Sequence, residues 1–227
     1  MIDSLLNILA PHVCVACGSE GCLLCAACGK KCISHDSTCF FCGLAVINNE
    51  LCWACQSRYR LATLTSVGWY NQELKAAVQA YKFGAKKGGA KSLALLLGQV
   101  GGNTDDHVIT YIPTSARHIR QRGFDHTKVL ARAYAARVAL PCTTTLARTN
   151  NSRQLGSSKT ARHSSVKGAF VAKCPHTFAG KDVILIDDVI TTGSTLSEAA
   201  KVLLQAGAKS VHALVLAKTP AHTGPNR

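Results

Sequence analysis

The sequence predicts an α/β protein, a mainly parallel sheet with helices on both faces, preceded by a small cysteine-rich, metal-binding head. Three observations carry this. Ten of the twelve cysteines fall between Cys14 and Cys55. From about Leu61 onward, strand-like and helix-like segments alternate, the pattern of a parallel sheet with crossover helices. Within that part, Val183-Ile184-Leu185-Ile186 runs into Asp187-Asp188 and then a Thr/Gly/Ser loop, a buried strand delivering acids and a phosphate-binding turn.

The elements follow in order. Residues 64–70 (LTSVGWY) read as a strand, 72–83 as a helix, 90–100 as a second helix, and 107–113 as a strand ending at proline. Residues 126–139 read as a helix with Val129, Ala133 and Ala136 near one face. The strand from Val183 ends at the acidic pair, and 194–206 form a helix whose apolar stripe is Leu196, Ala199, Ala200, Leu203 and Leu204. Thr195 and Glu198 have the spacing of a capping box. Residues 210–217 close the sheet, and 219–227 read as a flexible tail. The expected boundaries are therefore a head over 1–60 and a sheet domain over 61–218. No long-period repeat stands out. Residues 2–9 suggest a short amphipathic helix; with no basic n-region before them they do not read as a signal peptide, and the cytoplasm is the expected location. No apolar run approaches the roughly 18 residues that span a bilayer.

Cysteine pairs at CxxC spacing ahead of a cysteine-poor globular segment favour metal thiolates over disulfides. Four pairs are readable: Cys14/Cys17, Cys25/Cys28, Cys39/Cys42 and Cys52/Cys55. Gly18 and Gly43 follow the second thiol of two of them, where positive φ turns backbone amides toward sulfur. Eight thiols suffice for two structural zinc sites; an iron–sulfur cluster and redox dithiols are the alternatives. Cys22 and Cys32 are left over, and Cys22/Cys25 competes in an overlapping register. A head this small cannot bury enough apolar surface to fold alone, so metal binding would supply folding free energy.

At the carboxyl end of a parallel strand, Asp187 and Asp188 suit ribose hydroxyls or a metal-bound water, and Thr191, Thr192, Gly193, Ser194 and Thr195 lead into a helix that can cradle phosphate. A Walker pair would need a P-loop, and Gly84–Ser92 fails that pattern by one inserted residue. Pro113, Thr114 and Ser115 follow another strand and are placed to form a second anion loop, with Arg120 and Arg122 just beyond. Charge agrees: the chain carries a formal +14, and between Pro113 and Phe170 eleven Lys/Arg stand against one acid, Asp125. Such a field attracts pyrophosphate, nucleic acid, or both. Lys128, Arg132 and Arg137 are the candidate backbone contacts, while Phe40, Phe41 and Trp53 read first as packing around the metal and second as stacking platforms.

Residues 183–195 resemble the loop of type I phosphoribosyltransferases that binds 5-phosphoribosyl-1-pyrophosphate (PRPP). Arg120-Gln-Arg122-Gly123-Phe124-Asp125-His126 is similar to the RRGFNQ signature of the ComF family, departing at Asp125 and His126. Arg148, Arg153, Gln154, Leu155, Arg162 and Val166–Phe170 resemble the family's later stretch, with Ser165 where the family has asparagine, and Tyr81-Lys82-Phe83 its upstream element. The resemblance implies a type I phosphoribosyltransferase-like domain with a zinc-binding head. It assigns Asp187 and Asp188 to the ribose hydroxyls, 191–195 to the 5′-phosphate, and Lys82, Arg120 and Arg122 to the pyrophosphate, with Mg2+ accompanying PRPP. It further implies natural transformation, single-stranded DNA as a partner and a DNA-uptake helicase of the ComFA type. The alternative is an active phosphoribosyltransferase of nucleotide metabolism or salvage.

Overall fold

The computed structural model describes residues 13–47, 51–84, 88–102, 106–149 and 166–220. The short helix expected over 2–9, the motif residues Arg153, Gln154, Leu155, Arg162 and Ser165, and most of the tail lie outside them.

Four parallel strands make the central sheet in the order β1 (Thr63–Trp69), β6 (Ser210–Lys218), β5 (Asp182–Ile190), β2 (His107–Tyr111). The helices are α1 (Ala26–Cys32), α2 (Trp53–Tyr59), α3 (Gln72–Phe83), α4 (Gly89–Val100), α5 (Ala116–Arg122), α6 (His126–Val138) and α7 (Ser194–Gln205). A small antiparallel pair, β3 (Leu146–Arg148) with β4 (Phe170–Ala172), stands beside the sheet. Every strand and helix expected after residue 61 is present within a residue or two at its ends. β5 alone runs clearly further than expected: Asp187 pairs with Val215 and Val189 with Ala217, so the acids sit inside the strand, held by the length of β6.

Residues paired across a parallel sheet share a face, so each strand feeds two cores. On one face Ile109, Ile184, Ile186 and Leu214 pack with α3, α4 and α6. On the other, Val183, Leu185, Val211 and Val215 pack with α7 and Phe178. Helix α6 is rotated from expectation. Its buried residues are His126, Thr127, Leu130, Ala131, Tyr134 and Ala135, whereas Val129 and Ala133 sit at the rim and Ala136 is exposed. The bulk of Leu130 and Tyr134 sets that face, not the smaller residues.

The head contributes to both cores. Leu23, Leu24 and Cys32 enter the first, while Leu51 and Cys55 enter the second, so the two cysteine units straddle the sheet. The strap between them crosses β1 and β6. Gly68 is required there: a Cβ on it would lie 1.9 Å from the Cys32 carbonyl oxygen. Asp36 in the strap pairs with the buried Lys218 at 2.5 Å.

The head is itself a repeat, contrary to the sequence expectation. Each unit is a knuckle closed by a single β-bridge (Val13 with Glu20, Thr38 with Ala45), followed by a CxxC pair whose first cysteine is the N-cap of a seven-residue helix. The knuckles are 25 residues apart and the helical pairs 27. Divergent sequence and unequal loops hide the repeat.

Candidate functional site

Two clusters form in the head. Cys14, Cys17, Cys25 and Cys28 bring their sulfurs within 4.8 Å of one another, and so do Cys39, Cys42, Cys52 and Cys55. This selects Cys25/Cys28 over the overlapping register. Cys22 and Cys32 belong to neither cluster; Cys32 is buried and donates its thiol to the Cys28 carbonyl. Gly18 and Gly43 take φ of +77° and +75°, and amides turn onto the sulfurs as expected, Cys25 N–H lying 3.4 Å from Cys14 Sγ. Burial alone would raise the Cys14 thiol, but the amides of Cys25, Ala16 and Cys17 outweigh it and hold it at about 6. Cys39 is likewise held at about 7 against burial, by the amides of Cys52, Phe41 and Cys42. Four converging sulfurs with thiolate-favouring amides fit a tetrahedral zinc ion, one per cluster.

The second site lies at the carboxyl ends of β2 and β5, where open α/β sheets take ligands. A cleft of about 230 Å3 is lined by Lys82, Pro113, Thr114, Ser115, Arg122, Asp187, Asp188 and Thr195, together with His118, His126, Thr127 and Arg148. Asp188 is buried and forms an ion pair with Lys82; His126 Nε2 is 2.7 Å from its Oδ2. Burial would raise the Asp188 carboxyl, but the His126 hydrogen bond and Lys82 charge hold it below the usual carboxylate range. Asp187 moves the other way, raised by burial and then by the charge of Asp188, while its side chain still opens into the cleft. The pair is thus split, one member ionised and one favouring its proton.

Both departures from the RRGFNQ pattern are structural parts of this cleft. Asp125 caps α6 and accepts from the hydroxyls of Thr114 (2.8 Å) and Thr127 (2.9 Å), fastening the 113–115 loop to the helix. His126 lies between Asp188 and Arg122, whose Nη1 is 3.1 Å from His126 Nδ1. Arg122 stacks over Phe83, and its Nε is the one buried side-chain N or O without a hydrogen-bond partner among the described residues. A buried, cationic, partnerless N–H in a cleft is suited to an anion.

The loop 191–195 behaves as expected in one respect and not in another. Gly193 adopts φ +74° as the N-cap of α7, with no side chain of its own to cap the helix; the Ser194 amide donates to Thr192 Oγ1 at 3.4 Å, and the first-turn amides after it have no side-chain cap. The Thr195–Glu198 capping box does not form. Thr195 lies inside the helix and lines the cleft, and Glu198 accepts from the Gly168 amide at 2.7 Å instead. Arg120 is exposed and does not line the cleft. Arg148, absent from the expected site set, does, with Nε donating to Pro113 O at 2.7 Å; its place in the family-like stretch was the available signal. His118 carried none. Lys128 is half-buried, and Arg132 is exposed one turn on. Arg137 is nine residues beyond Lys128, half a revolution around α6, and its side chain lies over Gly98 of α4. These three do not form one surface. Trp53 is exposed, while Phe41 stacks on Tyr59 at 3.5 Å between ring centroids. A further cavity at the amino end of the sheet, lined by Thr63, His107, Asp182 and His212 among others, shares no residue with this cleft.

A parallel sheet whose strand ends carry an acidic pair, a Gly-centred Thr/Ser loop opening a helix and facing basic groups defines a phosphoribosyltransferase-type domain. The phosphoribosyl transferase domain model matches residues 128–227. The chain belongs to the ComF family. It is 30% identical over 208 residues to the DNA utilization protein YhgH of Salmonella typhimurium, covering 86% of this chain and 90% of the relative. It is 31% identical over 212 residues to the competence protein ComFC of Bacillus subtilis, covering 87% and 84%. It is 28% identical over 207 residues to competence protein F of Haemophilus influenzae, covering 86% and 90%. Among the described residues, no helix is long and apolar enough to cross a membrane.

Proposed function

We propose that this chain binds PRPP with Mg2+ in the cleft between the 113–115 loop and residues 187–195, and serves the handling of single-stranded DNA. The observation that carries the first part is Arg122 Nε, buried and without a partner, across from the acidic pair and the phosphate loop. In this reading Asp187 and Asp188 orient the ribose hydroxyls, the 191–195 loop holds the 5′-phosphate, and Arg122 with Lys82 neutralises the pyrophosphate. Lys82 already stands on Asp188, so a ligand hydroxyl arriving there would release it toward the diphosphate. Mg2+ would supply charge neutralisation between the diphosphate oxygens. Each cysteine cluster would hold one structural zinc ion. The DNA role is supported by relatives named for DNA utilization and competence and by the basic stretch from residue 113 to 170.

Calorimetry with PRPP and Mg2+ tests the cleft. The Asp187→Ala/Asp188→Ala variant should lose at least the roughly 1.5–3 kcal/mol of a hydrogen bond to a charged group, about ten- to a hundredfold in affinity. Unchanged affinity refutes the assignment. Release of pyrophosphate with a nitrogen nucleophile would turn the reading toward an active transferase.

A further inference from the structure

The phosphate loop has two sides. Thr195 faces the acidic cleft, but Thr191, Thr192 and Ser194 face a second cleft of about 610 Å3, larger than the first. Its opposite wall comes from the head: Phe40 of the second knuckle, Arg58 and Tyr59 of α2, with Lys167 at the rim. The wall touches the loop, since a Cβ on Gly193 would come within 2.5 Å of the Phe41 ring. Phe41 is stacked parallel on Tyr59, and Phe40 meets Phe41 edge-on at 5.1 Å. The one acid there, Glu198, is engaged by the Gly168 amide. A terminal sugar phosphate needs nothing beyond the loop. An annex of aromatic rings, two cations and loop hydroxyls matches a nucleoside joined to that phosphate.

We propose that the two clefts together take the 3′ end of a single strand. Resting on the cleft assignment above, the terminal sugar sits on Asp187 and Asp188, its 5′-phosphate lies on the loop as a phosphodiester, and the penultimate nucleoside stacks in the second cleft. The acidic pair requires the end of a strand, because only a terminal sugar offers a free 3′ hydroxyl to a carboxylate; an internal one presents another phosphate to it. The head then has a function in recognition: its second knuckle builds the wall that reads the neighbouring base.

Two comparisons test this on the intact, metal-loaded protein. Thymidylyl-(3′→5′)-thymidine should bind roughly tenfold tighter than thymidine 5′-(methyl phosphate), which has the same diester charge but no second nucleoside, within what base–aromatic stacking supplies. Linear dT20 should bind at least about fivefold tighter than covalently closed circular dT20, since only the linear form has an end. Arg58→Ala, at the surface, and Phe40→Ala, at a half-buried ring on the edge of the second core, should each abolish the dinucleotide preference and leave the methyl ester unchanged. Equal affinities in the first pair, or variants that weaken both ligands alike, overturn the second-cleft assignment. A dinucleotide preference with equal binding of linear and circular strands overturns the end-reading. If the methyl ester and ribose 5-phosphate both fail to bind, the phosphate-loop assignment itself falls with it.

Discussion

Replacing Asp36 by asparagine removes the anion that holds the strap to the sheet while leaving a group of the same shape, still able to accept from Ser34 Oγ (2.9 Å in the native chain). Its partner Lys218 is only 8% exposed at the side chain and lies 4.8 Å from the Trp69 ring centroid. A fully buried pair broken on one side costs about 3–5 kcal/mol, because a charge is left without compensation. Asp36 is 24% exposed, so water can partly solvate the orphaned ammonium, and the ring face supplies about 0.5–1 kcal/mol of cation–π attraction. The net cost should be about 2–3 kcal/mol, a fall in melting temperature of roughly 4–12 °C for a chain of this size. The pH dependence has a definite sign. Burial opposes ionisation of Asp36, but Lys218 and the Ser34 hydroxyl outweigh it and hold its carboxyl below the usual range. Its contribution is therefore present above the unfolded-state value near about 3.9 and is lost as pH falls through the lower folded value. Urea unfolding of wild type, Asp36→Asn, Lys218→Met and the double variant measures the coupling. If Asp36→Asn costs as much with methionine at 218 as with lysine, the pair does not anchor the strap.

Two further outcomes follow from the site geometry. Elemental analysis of protein purified without chelator should give two zinc ions per chain, and chelation should lower the melting temperature of the sheet domain as well as the head, because Leu23, Leu24 and Leu51 lie in the sheet's cores; iron, one ion, or an unchanged sheet melt refutes this. Single-strand affinity should fall with salt, and Lys128→Ala/Arg132→Ala should flatten the log–log slope by about 1.4, at about 0.7 per phosphate contact, whereas Arg137→Ala, on the far side of α6, should leave it unchanged; the reverse pattern moves the DNA surface to the α4 side.

The sheet domain was legible because each of its segments carries its own period and punctuation. Val183–Ile186 can only be a buried strand, and the Leu196–Leu203 spacing only one face of a helix. What escaped depends on partners distant in sequence. Nothing near Glu198 indicates that the Gly168 amide, thirty residues away, would claim its carboxylate and dissolve the capping box. Arg120 and Arg122 look alike in sequence, yet a two-residue step on a helix is about 200°, so only one of them can face the cleft. The head was legible in its ligands and not in its packing. CxxC spacing identifies the thiols that converge, but only the fold reveals that Leu23 and Leu51 are core residues of the domain that follows.

The two departures at Asp125 and His126 give the cleft its particular chemistry. An asparagine at 125 could accept the α6 cap but would offer one oxygen; the carboxylate of Asp125 uses Oδ1 for the Thr114 and Thr127 hydroxyls and the Lys128 amide, and turns Oδ2 to the Thr114 amide. The 113–115 loop is thereby fixed by the residue that begins the helix. At 126 an imidazole replaces an amide and joins Asp188 to Arg122 in one chain of hydrogen bonds, Lys82 to Asp188 to His126 to Arg122. Lys82 and Arg122 are thus tied to the acidic pair or to the imidazole beside it, Arg148 is held instead by the Pro113 carbonyl, and Arg122 Nε is the one buried side-chain N or O left without a partner among the described residues. The cleft is held together by the contacts that an incoming anion would exchange for its own.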